Sequence, residues 1–281
     1  MIGLIKSNIE VLRKRKDYQP MVDTSKKEKN SIEIIKEFQN RNEENKNICA
    51  FSGGKDSIVV YDLMKKSGID FQPIYSPPSV DPPEIKYHMD KYYPEVYRQP
   101  YEKTKDGKEI TMWYLLSHRA LPPTRRMRYC CDVLKERTGE AGDTVYVGVR
   151  ASESKGRTKR GMVTFYKEKN MIRPIFNWTD EEVWSYILKN DLQYNPLYDH
   201  GWDRLGCIGC PLSSRSQKRE LQAYPKIKEM YIISFERMLE YRKSKGMETE
   251  WKTGLDVYKW WIGEVKKQES QIEGQCSMFG E

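Results

Sequence analysis

At 281 residues the chain exceeds the most common single-domain size, so we expect one large domain or one domain with appendages. Its 49 Lys and Arg against 41 Asp and Glu give a formal net charge of +8, which favours anionic partners such as nucleotides or nucleic acid, although a solvated basic surface has the same composition. No stretch approaches the roughly 18 uninterrupted apolar residues of a membrane span. The first residues contain no apolar segment followed by a small-residue cleavage site. We therefore expect neither a membrane protein nor a secreted one, but a cytoplasmic protein.

The first part of the chain predicts helices that alternate with strands. Residues 1–46 are polar and charged, with apolar positions at helical spacing, which indicates a helical N-terminal extension behind a loose arm. Residues 47–51 form a short apolar run, followed at once by the motif SGGKDS and by an apolar-periodic segment at 58–64. This order predicts a strand, a glycine-rich turn and a helix. Residues 71–75 are a second strand candidate and lead through a proline-rich loop to a helix that begins near Glu84.

The same alternation continues farther along. Residues 144–149 are dense in β-branched side chains and residues 171–176 form another apolar run, so both are strand candidates. Thr179 and Glu182 then have the spacing of a capping box at the start of a helix. Short apolar strands alternating with helices predict an α/β fold with a doubly wound, mostly parallel sheet.

From about residue 217 the pattern is helical, and no strand candidate follows. We predict three regions: a helical N-terminal extension at 1–46, the α/β domain at 47–216, and a helical C-terminal region with a flexible tail at 217–281.

The SGGKDS motif lies where a parallel sheet binds its ligand, at the carboxyl end of the first predicted strand. Two glycines let the backbone approach an anion without a Cβ in the way. The Ser57 hydroxyl and the N–H groups that open the next helix can then bind phosphate oxygens, and Lys55 adds positive charge if it points inward. The spacing differs from that of a Walker A loop. The predicted phosphate-binding residues are Ser52, Gly53, Gly54, Lys55, Asp56 and Ser57.

SGGKDS after an apolar strand resembles the PP-loop of the ATP pyrophosphatases and of the adenylyl-sulfate and phosphoadenylyl-sulfate (APS and PAPS) reductases, a superfamily with an adenine nucleotide alpha hydrolase-like fold. The resemblance extends from about residue 47 to residue 211. In that family the loop holds the β- and γ-phosphates of ATP, or the corresponding region of APS or PAPS. Reductases usually carry a loop in which the K-D-S end is replaced, whereas this chain keeps the full form. The resemblance therefore implies that ATP is bound with Mg²⁺ and cleaved between its α- and β-phosphates; APS or PAPS is the alternative substrate.

Two downstream segments are similar to further motifs of that family. Residues 79–84 occupy the place of a T-G-x-x-F-P-E-T loop and retain its Pro-Glu pair, and residues 148–154 resemble a G-x-R-x-x-E-S segment in which the arginine approaches the nucleotide. Arg150 is thereby implied as a nucleotide ligand, a role that suits a planar guanidinium because it pairs two phosphate oxygens at once.

Arg157, Lys159 and Arg160 follow, and we expect them either to close over the phosphates or to lie in a solvated basic loop. Residues 177–180 resemble the W-T part of another family motif, and we expect their capping and tryptophan packing to be structural.

Four cysteines form two close pairs that lie far apart in the chain: Cys130, Cys131, Cys207 and Cys210. Four thiolates can ligate zinc or an iron–sulfur cluster. Paired zinc ligands are usually two to four residues apart, whereas adjacent cysteines diverge and suit a larger cluster better. An adjacent pair followed by a distant C-x-x-C is similar to the assimilatory APS reductases and to the PP-loop protein of DNA phosphorothioation systems, which hold a 4Fe-4S cluster. The resemblance implies a 4Fe-4S cluster at these cysteines; zinc is the alternative.

Cys276 lies near the end of the chain. Sulfonucleotide reductases attack sulfur with a mobile-tail cysteine in an E-C-G-x-H context, of which this chain keeps the cysteine but not the Glu, Gly or His. Its thiolate is a candidate nucleophile or persulfide carrier, and a thiol without function is the alternative. Cys49, on the first predicted strand, is expected in the core. We expect Arg125, Arg126 and Arg128 to neutralise an anionic cluster, contact the substrate or line a nucleic-acid path.

These features together predict a PP-loop transferase of sulfur metabolism. It binds ATP, adenylates an acceptor oxygen with release of pyrophosphate, and so primes that site for sulfur delivery. Candidate partners are a cysteine desulfurase as sulfur donor, a thioredoxin-like reductant for the reductase alternative, and nucleic acid as acceptor. The predicted catalytic residues are Lys55, Ser57, Arg150 and Cys276. The predicted nucleotide ligands are the residues of the SGGKDS loop together with Arg150 and Arg157. One alternative is an APS or PAPS reductase that releases sulfite with Cys276 as nucleophile; another is a nucleic-acid-binding module with a structural cluster.

Overall fold

The computed structural model describes residues 22–42, 44–153, 155–159 and 161–265. The strands are β1 Asn47–Ala50, β2 Gln72–Tyr75, β3 Tyr97–Arg98, β4 Thr144–Val147, β5 Val163–Tyr166 and β6 Lys169–Ile172. The helices are α1 Ser25–Glu37, α2 Lys55–Ser67, α3 Pro83–Tyr92, α4 Met112–His118, α5 Tyr129–Leu134, α6 Lys155–Thr158, α7 Asp180–Lys189, α8 Gln217–Ala223, α9 Pro225–Ser244 and α10 Gly254–Trp261. The predicted N-terminal arm and C-terminal tail lie outside these residues. No helix within the described ranges is both long and apolar enough to cross a membrane.

The six strands form one sheet in the order β3-β2-β1-β4-β6-β5. Neighbouring strands are parallel throughout, except that β5 runs antiparallel to β6. From β1 the chain continues to β2 on one side and later returns to β4 on the other, so the end of β1 is the point at which the strand order reverses. Such a point is where open α/β sheets bind their ligands. The predicted α/β fold with a mostly parallel sheet is confirmed.

Two strands escaped the sequence-based prediction for different reasons. β3 has only two residues and so shows no alternation. β5 is exposed along most of its length, with Phe165 exposed to 72 %, so it lacks the apolar side that marks a half-buried strand. It is held by backbone pairing with β6, which begins just after the Lys167–Glu168 turn, where both residues have positive φ.

One face of the sheet carries the main hydrophobic core. Cys49 and Tyr146 point into it from the two central strands, and α1, α2 and α7 contribute apolar residues such as Ile35, Leu63 and Tyr186. The opposite face has a smaller cluster of Ile48, Ile74 and Val145. Since successive strand residues point to opposite faces, β1 supplies both cores from adjacent positions.

The chain divides into two compact units. A sheet unit consists of Met1–Glu109 and Cys130–Cys207, and a helical unit consists of Ile110–Tyr129 and Ile208–Glu281. The predicted boundaries at 46/47 and 216/217 stay predictions.

In the helical unit, α9 packs against α4 and α10 around an aromatic cluster. The Tyr231 ring lies 4.7 Å from that of Trp261 and 5.3 Å from that of Trp113, measured between centroids. A Cβ at Gly254 would lie 2.4 Å from the Ile232 carbonyl oxygen, so only glycine permits this approach of α10 to α9.

Candidate phosphate-binding site

The SGGKDS segment forms a tight loop between β1 and α2, as the sequence predicts. Gly53 has φ +73°, in the left-handed region, and a Cβ there would lie 3.0 Å from Ile85 Cγ2. Gly54 is the N-cap residue of α2, and Lys55 is the first residue of that helix. Glycine at position 53 therefore meets both a conformational and a steric requirement of the loop.

The Ser57 hydroxyl closes the loop from inside. It donates a hydrogen bond to the Gly54 carbonyl oxygen at 2.8 Å and accepts one from the Ser52 N–H at 3.2 Å. Because Ser57 is only 4 % exposed, these bonds form away from bulk water. The hydroxyl therefore fixes the curvature of the loop and lies at its concave side.

Backbone N–H groups at the start of α2 are available to an anion. The Lys55 N–H donates to the Tyr198 hydroxyl at 2.9 Å. Across the described ranges no acceptor forms a hydrogen bond with the N–H groups of Gly53, Gly54, Asp56 and Ser57. These donors stand at the positive end of a 13-residue helix, which is the ordinary setting of a phosphate site.

Four charged side chains surround this loop, and we call them the charge cluster: Lys55, Asp56, Arg150 and Asp180. The Arg150 Nε lies 2.6 Å from Asp56 Oδ1, and one terminal nitrogen of its guanidinium lies 2.9 Å from Asp180 Oδ1. Lys55 Nζ lies 3.1 Å from the same Asp180 oxygen and 3.3 Å from Asp56 Oδ2. Both cations are about 5 % exposed, whereas the Asp180 side chain is 59 % exposed. The cluster is thus closed toward the protein and open at Asp180.

Pairing within the charge cluster favours the charged forms of Asp180 and Arg150. Burial by itself raises the pKa of the Asp180 carboxyl, but the neighbouring Lys55 and Arg150 charges outweigh it and hold that pKa below its usual value. Burial likewise lowers the pKa of the Arg150 guanidinium, and Asp56 and Asp180 raise it above its usual value. Two cations and two carboxylates therefore cancel, which leaves the loop N–H groups as the part of the site with unbalanced positive potential.

Gly148, directly after β4, holds the start of α2 in place. A Cβ at this position would lie 2.8 Å from the Asp56 carbonyl carbon and 2.9 Å from the Ser57 nitrogen. The backbone of β4 therefore touches the first turn of α2, and it brings Arg150 within reach of Asp56.

Two of the predicted cysteine ligands lie near one lysine of the sheet unit. The Lys135 ammonium hydrogen-bonds to the Cys207 sulfur and is near Cys131. Burial alone lowers the Lys135 pKa, but Asp81 and these two thiols raise it. Asp81 also accepts a hydrogen bond from the Tyr75 hydroxyl at 2.8 Å. In the described part of the chain, no three His, Cys, Asp or Glu side chains form a group that could hold a metal ion.

The structure brings most predicted site residues together. Arg150 and the residues of the loop form one site, whereas Arg157 pairs with Glu153, whose carboxylate also accepts the Arg150 N–H at 2.9 Å. Cys49 is fully buried in the core, and burial raises the pKa of its thiol. Cys276 and Arg160 lie outside the described residues. The roles predicted for all of these residues stay predictions.

Sequence reasoning missed Asp180 and Tyr198 as members of the site. Thr179 and Glu182 form the predicted capping box. Asp180, the residue after Thr179, forms ion pairs with both cations of the charge cluster. The available signal was an acidic residue at the start of a helix that follows a parallel strand after a seven-residue connection. Tyr198 carried no such signal, since it reaches the loop from 143 positions away.

Comparison with known proteins places this geometry in a family. Residues 46–213 match the phosphoadenosine phosphosulfate reductase domain. The chain is 31 % identical to an uncharacterized protein of Methanocaldococcus jannaschii over 258 residues, and this alignment covers 86 % of the chain and 57 % of that protein. The alignment with a second uncharacterized protein of the same organism covers 45 % of that protein. The chain thus spans about half the length of these relatives.

Two further similarities concern proteins with described activities. The adenosine 5'-phosphosulfate reductase of Shouchella clausii is 26 % identical over 211 residues, which cover 69 % of this chain and 82 % of that protein. The crystal structure of the PAPS reductase of Candida auris aligns at 14 % identity with a TM-score of 0.43, over 71 % of this chain and 93 % of the other. Because the domain match spans more than half of its length, the chain belongs to the phosphoadenosine phosphosulfate reductase family.

Proposed function

We propose that the protein binds ATP through the SGGKDS loop, cleaves it between the α- and β-phosphates, and uses the adenylated acceptor for sulfur transfer. The observation that carries this proposal is the row of unpaired N–H donors at the start of α2, next to a complete Lys-Asp-Ser end that is bound into the charge cluster. An intact loop of this kind suits the β- and γ-phosphates of ATP.

The loop has the groups that a departing pyrophosphate needs. An acceptor oxygen forms a bond to the α-phosphorus, the bond from that phosphorus to the bridging oxygen breaks, and the electron pair leaves with pyrophosphate. The N–H groups of Gly53, Gly54, Asp56 and Ser57 would donate to its oxygens, so the charge that develops there is stabilised by donors that are already oriented. The proton of the acceptor goes to solvent. In the transfer step a sulfide-level donor forms a bond to the carbon that carries the adenylated oxygen, and AMP leaves with the electron pair of the broken carbon–oxygen bond.

Lys55 and Arg150 would stabilise the same charge from the side. Each is held by Asp56 and Asp180, so its position is fixed before any ligand arrives. Cations that are already fixed lose little conformational entropy on binding, so they suit a site that stabilises the negative charge developing on pyrophosphate.

The charge cluster also fits the Mg²⁺ that accompanies ATP. Magnesium is usually bound by one or two carboxylates together with substrate phosphates, and Asp56 and the exposed Asp180 would supply those carboxylates. When bound, Mg²⁺ neutralises phosphate charge.

We further propose a 4Fe-4S cluster held by Cys130, Cys131, Cys207 and Cys210. Support comes from the donor set, four thiols in the family's spacing, and from the approach of Cys131 and Cys207 to one lysine ammonium, whose charge complements that of an anionic cluster. A 4Fe-4S centre supplies electron transfer or a site for sulfide, and we assign no step of the reaction to it.

A second candidate function is reduction of APS or PAPS with release of sulfite. The similarity to the Shouchella clausii adenosine 5'-phosphosulfate reductase over 82 % of that enzyme favours it. Cys276 would then be the thiol that attacks sulfur.

One experiment separates the two functions. Anaerobically purified protein is incubated with a dithiol reductant and with ATP and Mg²⁺, with APS or with PAPS, while pyrophosphate, sulfite, iron and zinc are measured. Pyrophosphate from ATP, together with about four irons per chain, supports the sulfur-transfer function. Sulfite from APS or PAPS without pyrophosphate from ATP contradicts it and supports the reductase, in which case Cys276→Ser abolishes sulfite release and leaves nucleotide binding unchanged.

Ser57→Ala tests the loop itself, and Ser67→Ala is its matched control. Both serines lie in α2, are 4–5 % exposed and donate to the carbonyl three residues earlier, at 2.8 Å for Ser57 and 2.7 Å for Ser67. Only Ser57 is at the phosphate end of the helix. We expect Ser57→Ala to weaken ATP binding about 10-fold, as the loss of one hydrogen bond to a charged group does, and Ser67→Ala to leave it unchanged. Equal affinity of the two variants would contradict the assignment of the loop.

A further inference from the structure

Among the described residues, the net positive charge lies in the helical unit. Its described residues, 110–129 and 208–265, contain fifteen Lys and Arg against eight Asp and Glu. The described residues of the sheet unit contain twenty-six against twenty-seven. An excess confined to one unit is the pattern of a polyanion-binding surface rather than of general solubility.

The segment between Glu109 and Asp132 is the most basic part of this unit. It contains four arginines and no acidic residue. Arg119, Arg125 and Arg126 are exposed, and within the described ranges no carboxylate lies within ion-pair distance of any of the three. Their charges are therefore not offset by neighbouring carboxylates and are available to a ligand.

The loop that presents these arginines is held rigidly. Three of its carbonyls accept hydrogen bonds from side chains of the same unit: Ala120 from Arg242 at 2.6 Å, Leu121 from Tyr129 at 3.0 Å and Pro123 from Trp261 at 2.8 Å. At the tip, the Thr124 N–H donates to the Met127 carbonyl at 3.0 Å, and the Met127 N–H donates to Thr124 Oγ1 at 3.1 Å. Arg125 and Arg126 lie between these two residues, so a ligand meets a loop that is already ordered.

A partly exposed aromatic surface borders the loop. His118 stacks on Tyr114 with centroids 4.0 Å apart and planes 15° apart, and the Tyr241 ring lies 6.1 Å from His118. Lys245 Nζ lies 5.8 Å from the centre of the Tyr241 ring. His118 is exposed and directly precedes Arg119 at the end of α4.

We propose that this surface, formed by His118, Arg119, Arg125, Arg126 and Lys245, binds single-stranded nucleic acid. Arginines without carboxylate partners hold the phosphates, and the exposed face of His118 stacks a base. Ring and cations on one rigid surface favour a single strand over a duplex, because bases paired in a helix do not present their faces. The proposal does not depend on the reaction at the SGGKDS loop, and it is tested without ATP.

The test is fluorescence anisotropy with a labelled 20-nucleotide single strand and the full chain, titrated over a series of salt concentrations. We expect Arg125→Gln/Arg126→Gln to lower affinity at least 10-fold and to reduce the slope of log affinity against log salt by about 1.4, which is roughly 0.7 for each lost phosphate contact. Lys103→Gln/Lys105→Gln, which removes the same charge from exposed positions of the sheet unit, should change neither quantity. Arg125→Lys/Arg126→Lys should keep most of the slope.

The stacking half of the proposal has its own control. His118→Ala should weaken single-strand binding roughly 5- to 100-fold, the range found for a lost base–aromatic stack. Tyr87→Ala removes a ring that is 67 % exposed in the sheet unit and should have no effect. A duplex of the same sequence should bind more weakly than the single strand and be insensitive to His118→Ala. Thermal unfolding of every variant checks its fold.

Several results would overturn the proposal. These are no binding of the strand at 50 mM salt, equal loss from the arginine and lysine double variants, or a duplex bound as tightly as the single strand. Binding of vesicles with anionic lipid that depends on Arg125 and Arg126, without binding of the oligonucleotide, would assign the surface to membranes instead.

Discussion

Replacing Gly148 with alanine tests the contact that links the sheet to the phosphate-binding loop. The new methyl group would lie 2.8 Å from the Asp56 carbonyl carbon and 2.9 Å from both the Asp56 carbonyl oxygen and the Ser57 nitrogen. These are backbone atoms of the first turn of α2, so no side-chain rotation relieves the overlap, and β4 must move away from α2. Overpacking of this kind costs about 1–3 kcal/mol in the free energy of unfolding. For a chain of this size that corresponds to a decrease in Tm of roughly 2–10 °C.

The same displacement moves the N–H groups of Asp56 and Ser57 and separates Arg150 from Asp56. We therefore expect Gly148→Ala to weaken ATP binding by at least about 10-fold, since small displacements of oriented donors are costly. The assays are isothermal titration with ATP and Mg²⁺, and urea unfolding. Gly156→Ala is the control, because its Cβ would have no neighbour within 4 Å and its φ is not left-handed. If Gly148→Ala bound ATP as the control does, the inferred coupling between β4 and the loop would be wrong; if it also unfolded as the control does, the close contact itself would be refuted.

Three further predictions concern titratable groups. Asp56→Asn leaves the buried Arg150 without its closest partner, so we expect a loss of about 3 kcal/mol in unfolding free energy together with loss of ATP binding. The control is Asp62→Asn, which lies in the same helix with a side chain 20 % rather than 18 % exposed and should keep ATP binding. Equal effects of the two variants in urea unfolding and in ATP titration would count against the charge cluster. The Asp180 pKa is lowered, so its stabilising contribution is present above the usual Asp pKa and is lost as pH falls through the lowered value. The difference in unfolding free energy between the protein and Asp180→Asn should therefore shrink as pH falls below about 4. A difference that stays constant on acidification would argue against the pairing. Burial lowers the pKa of His88 to about 4, so the unfolded chain takes up a proton at a higher pH than the folded protein does. The unfolding free energy should therefore fall as pH drops from about 6.5 toward 4, by up to roughly 3 kcal/mol. His88→Gln should remove this dependence in urea unfolding across that range, and a variant with the same pH profile as the unchanged protein would exclude a neutral buried imidazole.

The parts of the fold that the sequence predicts are those whose residues carry their own signal. β1, β2 and β4 lie in or overlap predicted apolar runs, and SGGKDS combines glycine with a helix start. The run predicted as a strand at 171–176 overlaps β6 only at Met171 and Ile172, because β6 begins at Lys169 and ends at Ile172. β5 could not be predicted, because Val163 and Phe165 are exposed and the strand exists through its pairing with β6. A local pattern records which face of an element is buried, and this strand buries little of either face.

The site shows the same division between local and distant information. Gly53, Gly54 and Ser57 act through their immediate neighbours, so their motif sufficed. Asp180 and Tyr198 act at a loop more than a hundred residues away, and their presence there depends on the order of strands in the sheet. Lys55 shows the limit of residue-by-residue prediction. The sequence left open whether its side chain points inward; the side chain does so, and it meets two carboxylates there.

The exposed edge of β5 has a practical consequence for handling the protein. Among the described residues no strand pairs with its outer side, and Val163, Phe165 and Tyr166 along it are 41 %, 72 % and 45 % exposed. The opposite margin, β3, is too short to recruit another strand. A sheet in which only one edge strand is long and apolar enough to pair with another chain aggregates through that edge strand. Phe165→Lys is therefore the first change to make when concentrated samples precipitate, since a charge at that position blocks pairing without disturbing either core.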